Sequence, residues 1–254
     1  MKKHLSLFLL LLVVFSNNFW ANENQLSIFN KANLHYENEE YQEAKEIYLS
    51  LLEEQFISDD LHFNLGNAYF KNNQIANAIL HYEKSLKINP GNKDAAYNLK
   101  LANQKTVDKI EAIPELFIYR WWKSIYNLLS ADQWAKLSIT LFLLCTFPFL
   151  LFLFIDKIKV RKASFFSACT TVCLAFVCWF FAFQQKKYLL SKEHAVILEP
   201  SVNIISAPSE GSSQLFVLHE GTKVKLLDET GYWFKVSLPN GNEGWLKKQT
   251  IEAI

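Results

Sequence analysis

Outside two long apolar stretches the chain has no cysteine. Cys145, Cys169, Cys173 and Cys178 all lie inside those stretches, so there is no disulfide framework to staple an exported fold. Cys169 and Cys173 are four apart and share a helix face, but no His, Asp or Glu accompanies them. Soft packing residues is the reading preferred over a metal or redox pair. The six histidines, His4, His35, His62, His81, His194 and His219, are scattered, and there is no HExxH, GxSxG or Gly-Lys-Ser/Thr phosphate loop. The acidic pairs Glu39-Glu40, Glu53-Glu54 and Asp59-Asp60 are adjacent, so they diverge around a helix and make solvated faces, not an acid and a base aimed at one site. No basic run interleaved with aromatics is fit to neutralise a phosphate backbone. These absences predict a non-enzyme with no catalytic residues, no metal, no cofactor and no nucleic-acid partner.

What is present is apolar: half of the 254 residues are hydrophobic and 15% are aromatic, too much for an ordinary soluble chain. The net charge of +1 conceals an asymmetry. Residues 22–112 hold 14 acidic residues against 9 Lys, whereas 113–193 hold 10 basic against 4 acidic, as expected of a solvated part and a membrane-proximal part. Lys2 and Lys3, the apolar run Leu5 to Phe15 and Ala21 follow the export pattern, and the run is too short to span a bilayer. Leu137 to Ile155 and Ser164 to Phe183 carry no charge and have the length that ~30 Å of hydrocarbon requires. Their connection holds Lys157, Lys159, Arg161 and Lys162 against one acid, which places it in the cytoplasm and both flanking domains outside, although Lys186, Lys187 and Lys192 sit on the far side. Pro148 predicts a kink in the first span. Before it, Ile118, Trp121, Trp122, Ile125, Leu128 and Leu129 form an amphipathic stripe. It either packs on the preceding domain or lies in the headgroup layer of the bilayer, the reading preferred here. Ser130-Ala131-Asp132-Gln133 reads as a capping box.

A repeat of period 34 occupies the first half. Ala32, Tyr41, Ala44 and Tyr48 recur as Gly66, Ile75, Ala78 and Tyr82, the pairs Phe29-Asn30, Phe63-Asn64 and Tyr97-Asn98 keep the step, and Asn89-Pro90-Gly91-Asn92 closes the second copy. This pattern resembles the tetratricopeptide repeat, in repeats 25–58 and 59–92, with Phe56 where the first copy would carry Pro. Residues 93–112 continue it for one helix only, a cap for the last open face.

After Ser191 short alternating segments broken by Gly, Pro, Asn and Ser predict a small all-β domain. Val202 to Pro208, Glu220 to Val224, Gly231 to Val236 and Gly241 to Trp245 resemble a bacterial SH3 domain, with Ile205 and Ala207 where that family usually has a basic residue and Gly. The expected fold is a multidomain α plus all-β chain. It comprises a signal peptide (1–21), a tetratricopeptide-type α-α repeat domain (22–112, capping helix 93–112), an interfacial segment (113–133) and transmembrane helices (134–155 and 164–183) around a cytoplasmic loop (156–163). A linker (184–194) and a C-terminal SH3-like β-barrel (195–254) complete it.

The repeat resemblance implies a protein-binding groove lined by Phe29, Asn33, Tyr36, Phe63, Asn67, Phe70, Tyr97 and Leu101, or, for half of these, packing within the superhelix. Clamping of a terminal carboxylate is disfavoured, because the matching places hold Phe29, Asp94 and Asn98. An extended segment or a partner helix suits the aromatic and amide lining better. In the β domain Tyr232, Trp233 and Trp245 are the candidate ligand surface, with core packing preferred for the two tryptophans and exposure for Tyr232. The order of parts, with the stretches Tyr97 to Ile110 and Trp121 to Asp132, resembles the BatE family of aerotolerance operons. That resemblance implies a membrane scaffold beside von Willebrand type A membrane proteins, another repeat protein and, indirectly, a MoxR-type ATPase. A wall-binding anchor acting through the SH3-like domain is the alternative. Either would sit in the cytoplasmic (inner) membrane with both domains periplasmic and in contact with the lipid bilayer.

Overall fold

The computed structural model describes residues 23–111, 113–114 and 116–254; the expected signal peptide lies outside the described residues. Helix α1 (23–37) pairs with α2 (Tyr41–Glu53), α3 (Asp59–Lys71) with α4 (Ile75–Ile88), and α5 (Lys93–Lys105) stands without a second helix. Starts are set by short polar side chains: Ser58 Oγ accepts from Leu61 N–H and Asn92 Oδ1 from Ala95 N–H. Within each pair the small residues are buried because aromatics lie on them. A Cβ at Gly66 would come within 2.7 Å of the Tyr82 ring, so the place held by Ala32 in the first copy is glycine in the second. Phe56 does not break the first repeat. The chain turns instead at Gln55 (φ 60°), and the Phe56 ring packs 6.3 Å from that of Phe29.

Helices α6 (Phe117–Tyr126), α7 (Ala131–Leu144), α8 (Thr146–Phe154) and α9 (Ile158–Leu190) follow. The capping box at Ser130 and Gln133 opens α7. Two stretches, Ala131–Phe154 and Ile158–Leu190, are long and apolar enough to cross a membrane. The first is interrupted at Cys145, because the Pro148 nitrogen has no hydrogen to offer the Leu144 carbonyl one turn back. The two stretches pack through small residues of α9: Ser164, Ala168, Ala175, Cys178 and Ala182 are buried at heptad-like spacing, and Ser138 Oγ donates to Ala175 O at 2.9 Å. Helix α9 begins at Ile158 and continues through Leu190, so of the expected loop 156–163 only Asp156 and Lys157 lie outside helix, most of the expected linker is helix too, and only Ser191 to Glu193 joins it to the sheet.

Strands β1 (His194–Ile197), β2 (Ser201–Ile205), β3 (Gln214–His219), β4 (Lys223–Thr230), β5 (Trp233–Ser237), β6 (Glu243–Lys247) and β7 (Ile251–Ala253) form one antiparallel sheet in the order β3-β2-β6-β5-β4-β1-β7. It is not the closed barrel expected. The β2 register shifts between Ile204 and Ile205, where only Ile205 and Trp245 pair across to β6, and the three-residue β7 is taken up at the far edge by contact with α4. The sheet core is Ala195, Ile197, Val202, Ile204, Leu218, Val224, Val236, Leu238 and Leu246.

That contact joins the two domains. Val196 and Ile254 share one buried cluster with Ala78, Ile79, Leu80, Tyr82 and Ala102 of α4 and α5, and Ile110 packs on the sheet core. Around the apolar patch Lys223 pairs with Glu83 at 2.6 Å and Lys84 with Glu252 at 2.5 Å, and Lys87 Nζ donates to Ile254 O at 2.7 Å and Ser191 O at 2.5 Å. Between α5 and α6 the Asp108 carboxylate accepts from His219 N–H (2.7 Å), Thr222 Oγ1 (2.8 Å) and His219 Nδ1 (2.9 Å). The tightest point is Gly221, at φ +82°, where a Cβ would lie 2.8 Å from Thr106 Cγ2 and 3.0 Å from Ile79 Cδ1. Gly221→Ala is therefore expected to destabilise the chain by about 2–4 kcal/mol, from the left-handed backbone together with overpacking. Denaturant unfolding measures this loss, and an unchanged midpoint would mean the domains are not docked this way.

Candidate binding surfaces

The inner face of the repeats carries an amide ladder. Tyr48 Oη (2.6 Å) and Asn64 Nδ2 (3.0 Å) both donate to Asn33 Oδ1, and one repeat on Tyr82 Oη and Asn98 Nδ2, each at 2.8 Å, donate to Asn67 Oδ1. Burial pushes the Tyr48 and Tyr82 phenols well above their usual range, so they stay protonated donors. With both Oδ1 atoms occupied, the Asn33 and Asn67 Nδ2 groups have no side-chain or backbone partner among the described residues and are the donors left for a ligand backbone.

Beside the second rung lies a cavity of about 150 Å³ lined by Tyr36, Asn67, Phe70, Lys71, Tyr82, Asn98 and Leu101. Of the residues expected in a groove, Tyr36, Asn67, Phe70 and Leu101 meet here, and Asn33 forms the other rung. Phe29 and Phe63 do not line it. They pack inside the repeats, their rings 5.8 Å from Tyr48 and 6.2 Å from Tyr82, because their helix positions face the second helix of each pair. Tyr97 is 63% exposed and outside the cavity lining. Sequence reasoning missed Lys71, Tyr82 and Asn98 as lining residues, and also Lys105, whose ammonium lies 4.4 Å from the centre of the Phe70 ring. Lys71 and Lys105 are 34 residues apart, so the repeat period itself carried the signal.

A second surface of about 300 Å³ lies on the sheet, lined by Glu210, Tyr232, Trp233, Lys247, Lys248 and Gln249. Tyr232 is 86% exposed, Lys247 pairs with Glu210 at 2.9 Å, and its ammonium stands 5.6 Å from the centre of the Trp233 ring. Core packing of the two tryptophans is overturned. The register Trp233↔Lys247 and Lys235↔Trp245 puts both on the outer face, while Phe234, Val236 and Leu246 turn inward. Trp245 shares that face but does not line the cavity.

Between α3 and α4 the rings of His62 and His81 stack with their Nδ1 atoms 3.0 Å apart, and Tyr69 stacks on His81. Burial, then the Lys84 charge, depresses His62 to about 4; burial, then His62 and Lys84, holds His81 well below its usual value.

Two family models match. The tetratricopeptide repeat covers residues 60–92 and the bacterial SH3 domain covers residues 200–252. A search of curated proteins returned no match. The two matched domains indicate protein–protein interaction or cell-wall binding.

The histidine pair yields a pH prediction. Above pH ~6.5 it is neutral in folded and unfolded chains alike; below that the unfolded chain takes up protons that the buried pair refuses, down to pH about 4. Stability should fall across this window by on the order of 2–3 kcal/mol from His62 alone. Unfolding of the wild type and of His62→Gln/His81→Gln at pH 7 and at pH 4.5 checks it. The variant should lose less on acidification, and equal losses would exclude the pair as the cause.

Proposed function

We propose that this chain is a membrane-anchored adaptor, without catalysis of its own, that holds an extended segment of a partner protein in the groove between α1, α3 and α5. The observation that carries this reading is the amide ladder beside the Phe70 cavity. It offers free Nδ2 donors at a repeating spacing next to aromatic surface, which suits backbone hydrogen bonding and side-chain insertion together. The hairpin of α7, α8 and α9 is the anchor, with the basic segment 156–163, a short turn and the start of α9, in the cytoplasm and both domains outside. Membership of a Bat-type complex, with von Willebrand type A membrane proteins as partners, is the setting implied by the BatE resemblance. A second reading, contact with cell-wall material, rests on the outward cavity at Tyr232 and Trp233.

Crosslinking and capture from membranes with the full chain tests the groove. Phe70→Ala with Asn98→Ala, checked for an unchanged unfolding midpoint, should weaken partner capture by about tenfold or more, as loss of a central contact does. Tyr232→Ala should leave capture intact. An unchanged partner set in the groove variant sinks the groove reading, and loss of sacculus co-sedimentation in Tyr232→Ala alone favours wall contact. Topology is checked separately: in intact cells a Ser212→Cys chain should react with an impermeant maleimide and an Asp156→Cys chain should not.

A further inference from the structure

The junction between hairpin and domains carries charge that topology does not account for. The apolar run of α9 ends at Phe183, and Lys186 and Lys187 follow within about 5 Å along the helix axis, at headgroup depth for a spanning helix. Short basic segments ordinarily mark the opposite, cytoplasmic end, where this chain already has Lys157, Lys159, Arg161 and Lys162.

Further cations flank this end of α9. Gln185 Nε2 donates to Tyr126 O (2.6 Å) and Leu129 O (2.8 Å), clamping the turn between α6 and α7 to α9. Trp134 Nε1 donates to the same Tyr126 carbonyl at 3.1 Å, and Trp122 and Trp134 meet Phe181 edge-on at 5.4 and 5.0 Å. Arg120 of α6 and Lys186, Lys187 and Lys192 around the end of α9 thereby surround this junction. All four are exposed, and none forms an ion pair among the described residues. The nearby acids are Asp132 and Glu193, with Glu83 already bound to Lys223.

We propose that this rim binds the phosphates of anionic phospholipids, with Arg120, Lys186, Lys187 and Lys192 as the contacts and Trp121 and Trp122 seated in the same headgroup layer. Lipid is the occupant because the opposite charge lies at that depth along α9 and the exposed Phe117, Ile118 and Trp121 of α6 give the rim an apolar companion. The proposal rests on the membrane-anchored reading but not on which compartment the domains occupy.

Reconstitution of the full chain with brominated phosphatidylglycerol or brominated phosphatidylcholine, reading tryptophan quenching, tests it. Wild-type protein should favour the anionic lipid by about fivefold or more, as expected from several basic residues near a charged surface. R120Q/K186Q/K187Q/K192Q should lose that preference, and K157Q/K159Q/R161Q/K162Q should keep it. Equal quenching by both lipids in the wild type, or loss of preference in the loop variant alone, overturns the proposal. So does displacement by inorganic phosphate beyond that by sodium chloride of equal ionic strength, which would mark a free-anion site. Absence of quenching by either lipid removes the premise of membrane anchoring, and the proposal falls with it.

Discussion

The structure depends on how the last face of the repeat stack is covered. A helix pair cannot bury its apolar side alone, and a stack of such pairs always ends on one exposed layer. Here α5 covers only part of α4; the remainder is covered by β1, by Ile254 and by the turn at Gly221. A charged staple pins the arrangement. Burial would raise the Asp108 carboxyl, but hydrogen bonds from the His219 side chain and backbone and from Thr222 outweigh it and hold it below the usual carboxylate range, ionised and bound. The two matched domains are thus one folded body, in which each supplies part of the other's core.

Much of this body is legible in the sequence, and the limits are physical. The 34-residue step, the small residues at Ala32, Gly66, Ala44 and Ala78 and the break near Pro148 are local or periodic demands, which residue spacing records directly. The alternation of β5 and β6 was equally visible, yet it defines two faces without saying which is inside. Only the cross-strand register sends Trp233 and Trp245 outward. Whether the sheet closes depends on its edges, which spacing does not encode. Phe29 and Phe63 were read as groove residues because their helices line the groove, but packing turned them onto Tyr48 and Tyr82. The docking of α4 on β1 was invisible, since Lys223 and Glu83 lie 140 residues apart and Asp108 and His219 lie 111 apart with no periodic mark.

The same contacts fix the body to the hairpin. Only three residues separate α9 from β1, too few for an independent tether, and Lys87 binds Ser191 O and Ile254 O from the end of α4. The Gln185 amide closes the other side by holding the turn before α7. A 33-residue helix, about 50 Å long, therefore runs unbroken from the basic segment, most of which is its own first turns, to the domain junction.

A mechanical consequence follows for any partner. The groove at Phe70 and the surface at Tyr232 are carried on one rigid unit, so neither can reorient without the other, and neither can move far without turning α9 or breaking the Lys87 and Gln185 contacts. A ligand that engages both surfaces must match their fixed separation, and gains effective concentration only if it does. A ligand that engages one exerts its load on α9 and the helices packed on it. Helices α7 and α9 are held together by small-residue packing and single hydrogen bonds such as Ser138 to Ala175. Load on either surface therefore bears on α9 and on the Lys87 and Gln185 contacts, not on one domain alone.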